Sequence, residues 1–466
     1  LQYGIFFDTL AAFIEEILNI KDTQNAFYFK HFLTFCFFFI SSIFFYKIVA
    51  ERFGNKFYSI IFTFLYLSSP RIFAESFYNN KDIVFMALIV CSLYFALKNF
   101  TNLNYKNLFY FSLFSAIATN VRVMGILIFG LFLFFLFLDS LEEKKFLKKN
   151  ITKIIFLIFS YLIILYVFWP FLWKSPLTNL IFTIKSFANF NWSGEGILYL
   201  GNYHRGSNLP WHYIPVWILA TMPIILMLFF LVGLIKKSVN ISKNILNLSE
   251  KNKLWRNTNE KKDFFVLLFF VTPIFLVILL NSTLYGGWRH LYFIYPCIIY
   301  LASIGMVFFL SDKIFLKYKK IFYILIMASV LINLYNLIRL HPYQNVYFNS
   351  LFEKKANKLF EIDYWGLGNA SSLKFLAKNK FDGNKLEIKV SSYTPLSYSL
   401  LILDDNEKNL FLNMGTTNKN QKFLFTNYIF ESNPNFEKKY SISNNYEKIY
   451  TLRRGNIIIN EIFEKK

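Results

Sequence analysis

Residues 57–98 read FYSIIFTFLYLSSPRIFAESFYNNKDIVFMALIVCSLYFALK. Two apolar runs, 57–73 and 82–98, meet at a polar knot, Ser69–Asp82, that carries Arg71, Glu75, Asn80, Lys81 and Asp82. Each run approaches the roughly 20 residues that cross a bilayer as a helix. Charge at the edge of hydrocarbon is costly, so such a knot marks either a site or a set of pairings. Asp82 opens the second run, where an acid also caps a helix and meets the positive end of its dipole.

The pattern repeats along the chain. Comparable apolar runs lie at 27–49, 107–120, 122–139, 154–173, 213–235, 264–281, 290–310 and 320–339, which makes ten in all. The stretch 107–139 is divided at Thr119–Arg122, because one helix of that length overshoots the hydrocarbon. Of the 466 residues, 55% are hydrophobic, 21% aromatic and only 17% charged, against about 25% charged in soluble domains. This composition excludes a soluble enzyme, a fibrous protein and a disordered chain. Cys36, Cys91 and Cys297 sit far apart in apolar runs, so they read as buried small hydrophobes rather than disulfide or zinc ligands.

The net charge of +22 is read as membrane topology rather than nucleic-acid binding. Loops near 47–56, 98–106, 144–153, 236–262 and 313–320 hold 22 Lys and Arg, and the intervening loops hold 7. The basic set is expected on the cytoplasmic side. The expected organisation is an all-α polytopic membrane bundle over 1–340 and a small external α/β domain over 341–466. Within the first part, 1–26 is an external amphipathic helix with Phe6, Leu10, Phe13 and Leu18 on one stripe. Residues 174–212 form an external loop and 236–263 a polar cytoplasmic one. In the tail, Leu386–Val390 and Ile457–Ile462 alternate as strands do, and Ala370–Lys380 reads as helix. The chain opens in an external segment, so a further span is expected upstream of Leu1.

The remaining polar clusters fall on the external side. Thr119-Asn-Val-Arg122 breaks one run, and Tyr285-Gly-Gly-Trp-Arg-His290 brings Arg289 and His290 to the mouth of another. The loop 174–212 carries Trp192, and Glu361-Ile-Asp-Tyr-Trp-Gly366 carries Asp363 and Trp365 just beyond the last run. A plain structural reading exists for each: a cap, a snorkelling anchor or an aromatic belt. Their shared placement favours a site for a phosphate-bearing, lipid-linked substrate, with arginine forks on the phosphate. No Walker loop, GxGxxG, GxSxG or HExxH motif occurs.

In order, Ser69–Phe77, Asn80-Lys-Asp-Ile83, Thr119–Arg122, Leu209-Pro-Trp-His-Tyr213, Arg289–Pro296, His341-Pro-Tyr343, Tyr347-Phe-Asn349 and Asp363-Tyr-Trp-Gly366 resemble the GT-C class of polytopic glycosyltransferases. Within it they are similar to bacterial relatives of dolichyl-phosphate-mannose–protein mannosyltransferases (glycosyltransferase family 39). The resemblance implies transfer of a sugar from a polyprenyl-phosphate donor to an external acceptor (a lipid, glycan or protein) with inversion. It implies a multi-pass enzyme of the bacterial inner membrane with a periplasmic C-terminal domain. The family's main acidic pair lies in the first external loop, so the principal catalytic acid is expected upstream of Leu1 and the piece in hand is expected to be inactive alone. Asp82 or Glu75 then matches the second-loop acid and is the catalytic candidate. Arg71, Asn80, Lys81, Arg122, Arg289, His290, Trp192, Asp363 and Trp365 are the substrate-binding candidates. No cofactor is required by the sequence, and a divalent metal is neither required nor excluded. Two other classes stay open: a transporter or flippase of lipid-linked sugars, which predicts polar groups along a path at mid-depth, and a non-catalytic membrane protein that binds envelope glycans.

Overall fold

The computed structural model describes residues 4–188, 195–246, 254–415, 421–430 and 440–466. The chain is an integral multi-pass membrane protein. Among the described residues, eight helices are long and apolar enough to cross a bilayer, or nine if one bent pair counts as a span. The helices that matter below are α1 (Phe6–Ile17), α2 (Thr23–Phe53), α3 (Lys56–Leu67), α4 (Pro70–Tyr78), α5 (Asn80–Thr101), α6 (Tyr105–Val121), α7 (Ile126–Glu142) and α8 (Phe146–Phe168). They continue with α9 (Pro176–Ala188), α10 (Tyr213–Thr221), α11 (Ile224–Leu246), α12 (Thr258–Leu279), α13 (Tyr295–Ser311) and α14 (Lys319–Leu340).

All ten apolar runs are largely helical, and three are interrupted at a proline, the run 154–173 only at its end, where α8 stops at Phe168 before Pro170. The run 57–73 bends by 63° between α3 and α4. Pro70 starts α4, because a proline has no N–H for the preceding helix and clashes with its carbonyls. The run 213–235 divides into α10 and α11 around Pro223. The break at Thr119–Arg122 falls where the sequence places it: α6 ends at Val121, Arg122 is extended, and one 3-10 turn leads into α7.

Lipid exposure sorts the helices. In the most apolar stretch of α5, 89% of residues are buried, and 83% in the span that contains α13, against 17% in α8. So α5 and α13 form the centre, while α8 shows Ile155, Phe159 and Leu162 to the outside. Glycine sets the closest helix contact. A Cβ on Gly233 of α11 would lie 1.9 Å from the Leu301 carbonyl oxygen of α13, and one on Gly305 would lie 2.0 Å from that of Phe229. Small residues permit such backbone approach in lipid, where packing rather than the hydrophobic effect joins helices.

Toward the other end, Asp263 of α12 is the hub of a buried charge network. Arg52 of α2 donates to it twice at 2.8 Å, Tyr300 of α13 donates at 2.6 Å, and Lys237 of α11 lies at 2.5 Å. This corrects the expected loop 236–263. Helix α11 runs on to Leu246 and α12 begins at Thr258, since Lys236 and Lys237 find acids on neighbouring helices (Asp312 and Asp263) instead of needing water.

α1 buries Phe7 and Ala11 against the bundle and leaves Phe13, Ile17 and Leu18 exposed. The loop 174–212 contains α9 and a hairpin, β1 (Glu195–Tyr199) with β2 (Asn202–Arg205).

The tail forms a five-stranded sheet in the order β4-β3-β5-β7-β6: β3 (Leu386–Val390), β4 (Phe411–Gly415), β5 (Phe423–Thr426), β6 (Tyr446–Arg454) and β7 (Ile457–Lys465). Helix α15 (Asn369–Asn379) covers it with Leu373 and Leu376 over Ile388 and Phe425. In β3 the alternation holds, with Leu386, Ile388 and Val390 inward. The segment from Tyr343 to Ile362 packs elsewhere. Val346, Phe348, Ala356 and Phe360 belong to the core of the helical bundle. The apolar runs end at 340, yet the sheet domain's own core begins only with α15.

We predict that Gly305→Ala destabilises the folded protein by the ~1–3 kcal/mol typical of overpacking, read as a lower unfolding temperature in detergent. An unchanged midpoint would mean that α11 and α13 can separate freely.

Candidate functional site

The polar knot of the sequence becomes the corner between α4 and α5. Arg71 and Glu75 are four residues apart on α4 and share a face. Asn79 ends α4 and caps α5: its Oδ1 accepts the Asp82 N–H at 3.1 Å. The two hydrogens of its Nδ2 go to Glu75 Oε2 and Asp82 Oδ2, each at 2.8 Å. One side-chain amide therefore fixes both candidate carboxylates.

Two arginines from distant positions close on Asp82. Arg289, which starts the turn before α13, donates from Nη1 to Asp82 Oδ2 at 3.1 Å. Arg122, in the break between α6 and α7, forms an ion pair with Asp82 Oδ1. Asp82 is 1% exposed. The Arg289 guanidinium lies among three rings, with Cζ 4.5 Å from the centre of Tyr285, 5.0 Å from Trp365 and 5.2 Å from Tyr364. A guanidinium over aromatic faces gains cation–π attraction while buried. Gly286, with φ +65°, lets the chain turn there, because a Cβ would meet both Arg289 and Tyr364 at about 3 Å.

Glu75 accepts from Tyr292 Oη at 3.3 Å, Trp365 Nε1 at 3.2 Å and Asn79. Arg71 donates from Nη2 to the Tyr347 carbonyl at 3.3 Å and lies over the rings of Trp217 and Phe348. A narrow cleft opens on this side, walled by Arg71, Glu75, Trp217, Asn345, Glu361, Tyr364 and Trp365. Beside it the guanidiniums of Arg71, Arg122 and Arg289 gather with the buried carboxyls of Glu75, Asp82, Glu361 and Asp363.

The candidate residues divide. Arg71, Glu75 and Trp365 line the cleft; Asp82, Arg122 and Arg289 form the charge cluster behind it. His290 stacks edge-on against Tyr285 at 4.6 Å and does not line the cleft. Lys81 is exposed and Asn80 half-buried on the first turn of α5. Trp192 lies outside the described residues. Asp363 is a correction to the substrate-binding set. It is fully buried, Oδ1 takes Asn345 Nδ2 at 2.9 Å, and Oδ2 takes the Gly368 N–H at 2.8 Å. Its carboxylate folds the segment that carries Trp365 and does not line the cleft. Asn79, Asn345 and Glu361 are additions. Asn79 was legible as a cap three residues before Asp82; Glu361 opens the motif that carries Asp363 and Trp365 but was not itself a candidate, and no local signal marks Asn345. Among the described residues, no group of three or more His, Cys, Asp or Glu converges as metal ligands.

With this geometry in view, residues 10–173 match the family described as dolichyl-phosphate-mannose-protein mannosyltransferase. The matched region includes α4, α5 and Arg122. No curated protein matches the chain. Two solved structures resemble it weakly. The Archaeoglobus fulgidus oligosaccharyltransferase, in its apo form, is 10% identical with a TM-score of 0.49 over 89% of this chain. ArnT from Cupriavidus metallidurans, bound to undecaprenyl phosphate, is 9% identical with a TM-score of 0.44 over 99% of this chain and 88% of its own. The chain spans 56% of the length of the archaeal protein.

Asp82→Asn leaves Arg122 and Arg289 buried without their shared counter-charge, a change of the kind that costs about 3–5 kcal/mol. The expected result is a clearly lower unfolding temperature, partly restored by adding Arg122→Gln. A midpoint equal to that of the parent would show that the cluster is solvated.

Proposed function

We propose that this protein transfers a sugar from a polyprenyl-phosphate donor to an acceptor at the end of the bundle where Arg71, Arg122 and Arg289 converge. One observation carries this reading: three buried guanidiniums gather beside a cleft, at the point where the two central helices begin, and Arg71 in its wall keeps an Nε without a partner in the protein. Arginine forks suit phosphate oxygens. The family match over 10–173 supports a glycosyl donor of the polyprenyl-phosphate type.

In this step the bond between the anomeric carbon and the phosphate oxygen breaks, and its electron pair leaves on the phosphate. Arg71 faces the cleft and stabilises that charge, with the Arg289–Asp82–Arg122 cluster supplying the surrounding positive potential. A new bond forms between the anomeric carbon and the acceptor oxygen, whose proton goes to Glu75, the carboxylate that lines the cleft. Asp82, held by two arginines and Asn79, positions the cluster rather than meeting substrate. Against transport stands α5 itself, which buries only apolar side chains from Ile83 to Val90, below Asp82.

In the complete protein, Glu75→Gln should lower transfer about 10²–10⁴-fold, the usual contribution of a general base, while binding of undecaprenyl phosphate persists. Arg71→Gln should weaken that binding. Transfer at the parental rate in both variants would remove the cleft from the mechanism.

The proposed setting is a bacterial inner membrane with the cleft and the C-terminal sheet outside, as the 22-to-7 distribution of basic residues favours. A cysteine at exposed Asn406 should then react with an impermeant maleimide from outside, and one at Asn259 should not. The opposite labelling would invert the topology and put the cleft in the cytoplasm.

A further inference from the structure

Three buried polar atoms in the walls of the cleft have no hydrogen-bond partner in the protein: Arg71 Nε, Asn345 Oδ1 and Glu361 Oε2. Their residues are 7%, 3% and 8% exposed. A buried polar atom without a partner is destabilising, so three around one cleft ask for a ligand. We propose that Glu361, Asn345 and Arg71 form a sugar-recognition subsite, reading the hydroxyls of a pyranose held against Trp217, Tyr364 and Trp365. The proposal rests on the transfer reading above and adds which residues bind the sugar rather than the phosphate.

The chemistry of the three atoms selects the ligand. One is a donor and two are acceptors. A bare phosphate suits Arg71 and a protonated Glu361 but sets its oxygens against Asn345 Oδ1, which can only accept. A hydrocarbon chain satisfies none of them. A sugar offers hydroxyls that donate and accept in turn, and a C–H face for the aromatic walls. Orientation is fixed in advance: Asn345 gives its Nδ2 to Asp363 at 2.9 Å, which turns its Oδ1 away from that carboxylate. Burial pushes the Glu361 carboxyl up to about 8, so it keeps its proton near neutrality and can both give and accept a hydrogen bond. The cleft is narrow, and seating a ring needs Trp365, which is 40% exposed, to turn outward. Its indole N–H then releases Glu75, the carboxylate that the transfer step uses.

The test compares three lipids on the full chain in nanodiscs: undecaprenyl phosphate, mannosyl-phospho-undecaprenol and glucosyl-phospho-undecaprenol. The parent should bind at least one sugar-bearing lipid more tightly than the bare one. Glu361→Leu should weaken binding of that lipid about ten-fold, as loss of one good hydrogen bond does, and leave undecaprenyl phosphate within about two-fold. Its unfolding temperature should stay equal or rise, because a buried unpartnered carboxyl has been removed. Glu361→Gln, which keeps a donor and an acceptor, should retain most of the preference. Equal weakening of all three lipids with a lower unfolding temperature would make Glu361 structural and overturn the subsite. So would a Glu361→Leu protein that keeps the parental preference. If the parent binds all three lipids alike and Arg71→Gln abolishes that binding, the subsite is wrong and the lipid-phosphate reading stands. If the parent binds none of them, both fall.

Discussion

The end of the bundle that carries the cleft is organised by one buried carboxylate. Asp82 joins Arg122, from the break between α6 and α7, to Arg289, from the turn before α13. Neither guanidinium could be buried there alone, since an unpaired charge at that depth costs several kcal/mol. The carboxylate sits in the first turn of α5, where unpaired N–H groups and the helix dipole favour a negative charge. Placing it there joins the two most buried helices of the bundle to the α6–α7 break through a single side chain. Asn79 extends the arrangement to Glu75, so α4 is registered against the same point.

This arrangement separates architecture from chemistry. Asp82 has its oxygens taken by two arginines and an amide, and Asp363 has its own taken by Asn345 and Gly368. Each fixes other residues: Asp82 the arginine cluster, Asp363 the amide of Asn345 and the loop bearing Trp365. The residues that face the cleft are held more loosely. Arg71 is held by one carbonyl and two ring faces and Asn345 by its amide alone, while Glu75 accepts from Tyr292, Asn79 and the half-exposed Trp365. Saturated carboxylates in the supporting layer and unsaturated polar atoms in the lining are what a preorganised binding site requires.

The helices were legible because lipid imposes a strong rule: every backbone group must be satisfied within the segment, so long apolar runs must be helical. The proline breaks follow from local chemistry. What the sequence hid depends on partners far away in the chain. Lys236 and Lys237 look like loop residues until Asp312 and Asp263 appear beside them. The start of the tail looks like the start of a new domain until Val346, Phe348 and Phe360 are seen in the bundle core. At the site, unusual charge near lipid pointed to Arg71, Glu75, Asp82, Arg122 and Arg289, because such charge is costly anywhere. It could not separate a carboxylate that holds the fold from one that faces a ligand. Asp363 and Glu361 are two residues apart in one motif, yet the first is saturated and the second has an unpartnered oxygen.

Position in the site also depends on the far end of α13. The Gly233–Gly305 contact locks its backbone to α11, and Tyr300 bonds the Asp263 hub that Arg52 and Lys237 share. Helix α13 is therefore held at mid-length and below by backbone contact and hydrogen bonds rather than by hydrophobic packing alone. Interhelical contact in lipid gains little from burial of apolar surface, because the lipid is equally apolar. Directional contacts must then set the register, and a slip of one residue along the axis moves a side chain by about 1.5 Å. That distance is enough to break the Arg289–Asp82 bond of 3.1 Å. The charge network that Tyr300 joins and the glycine contact further along α13 are thus the conditions under which the arginine cluster at its start keeps its geometry.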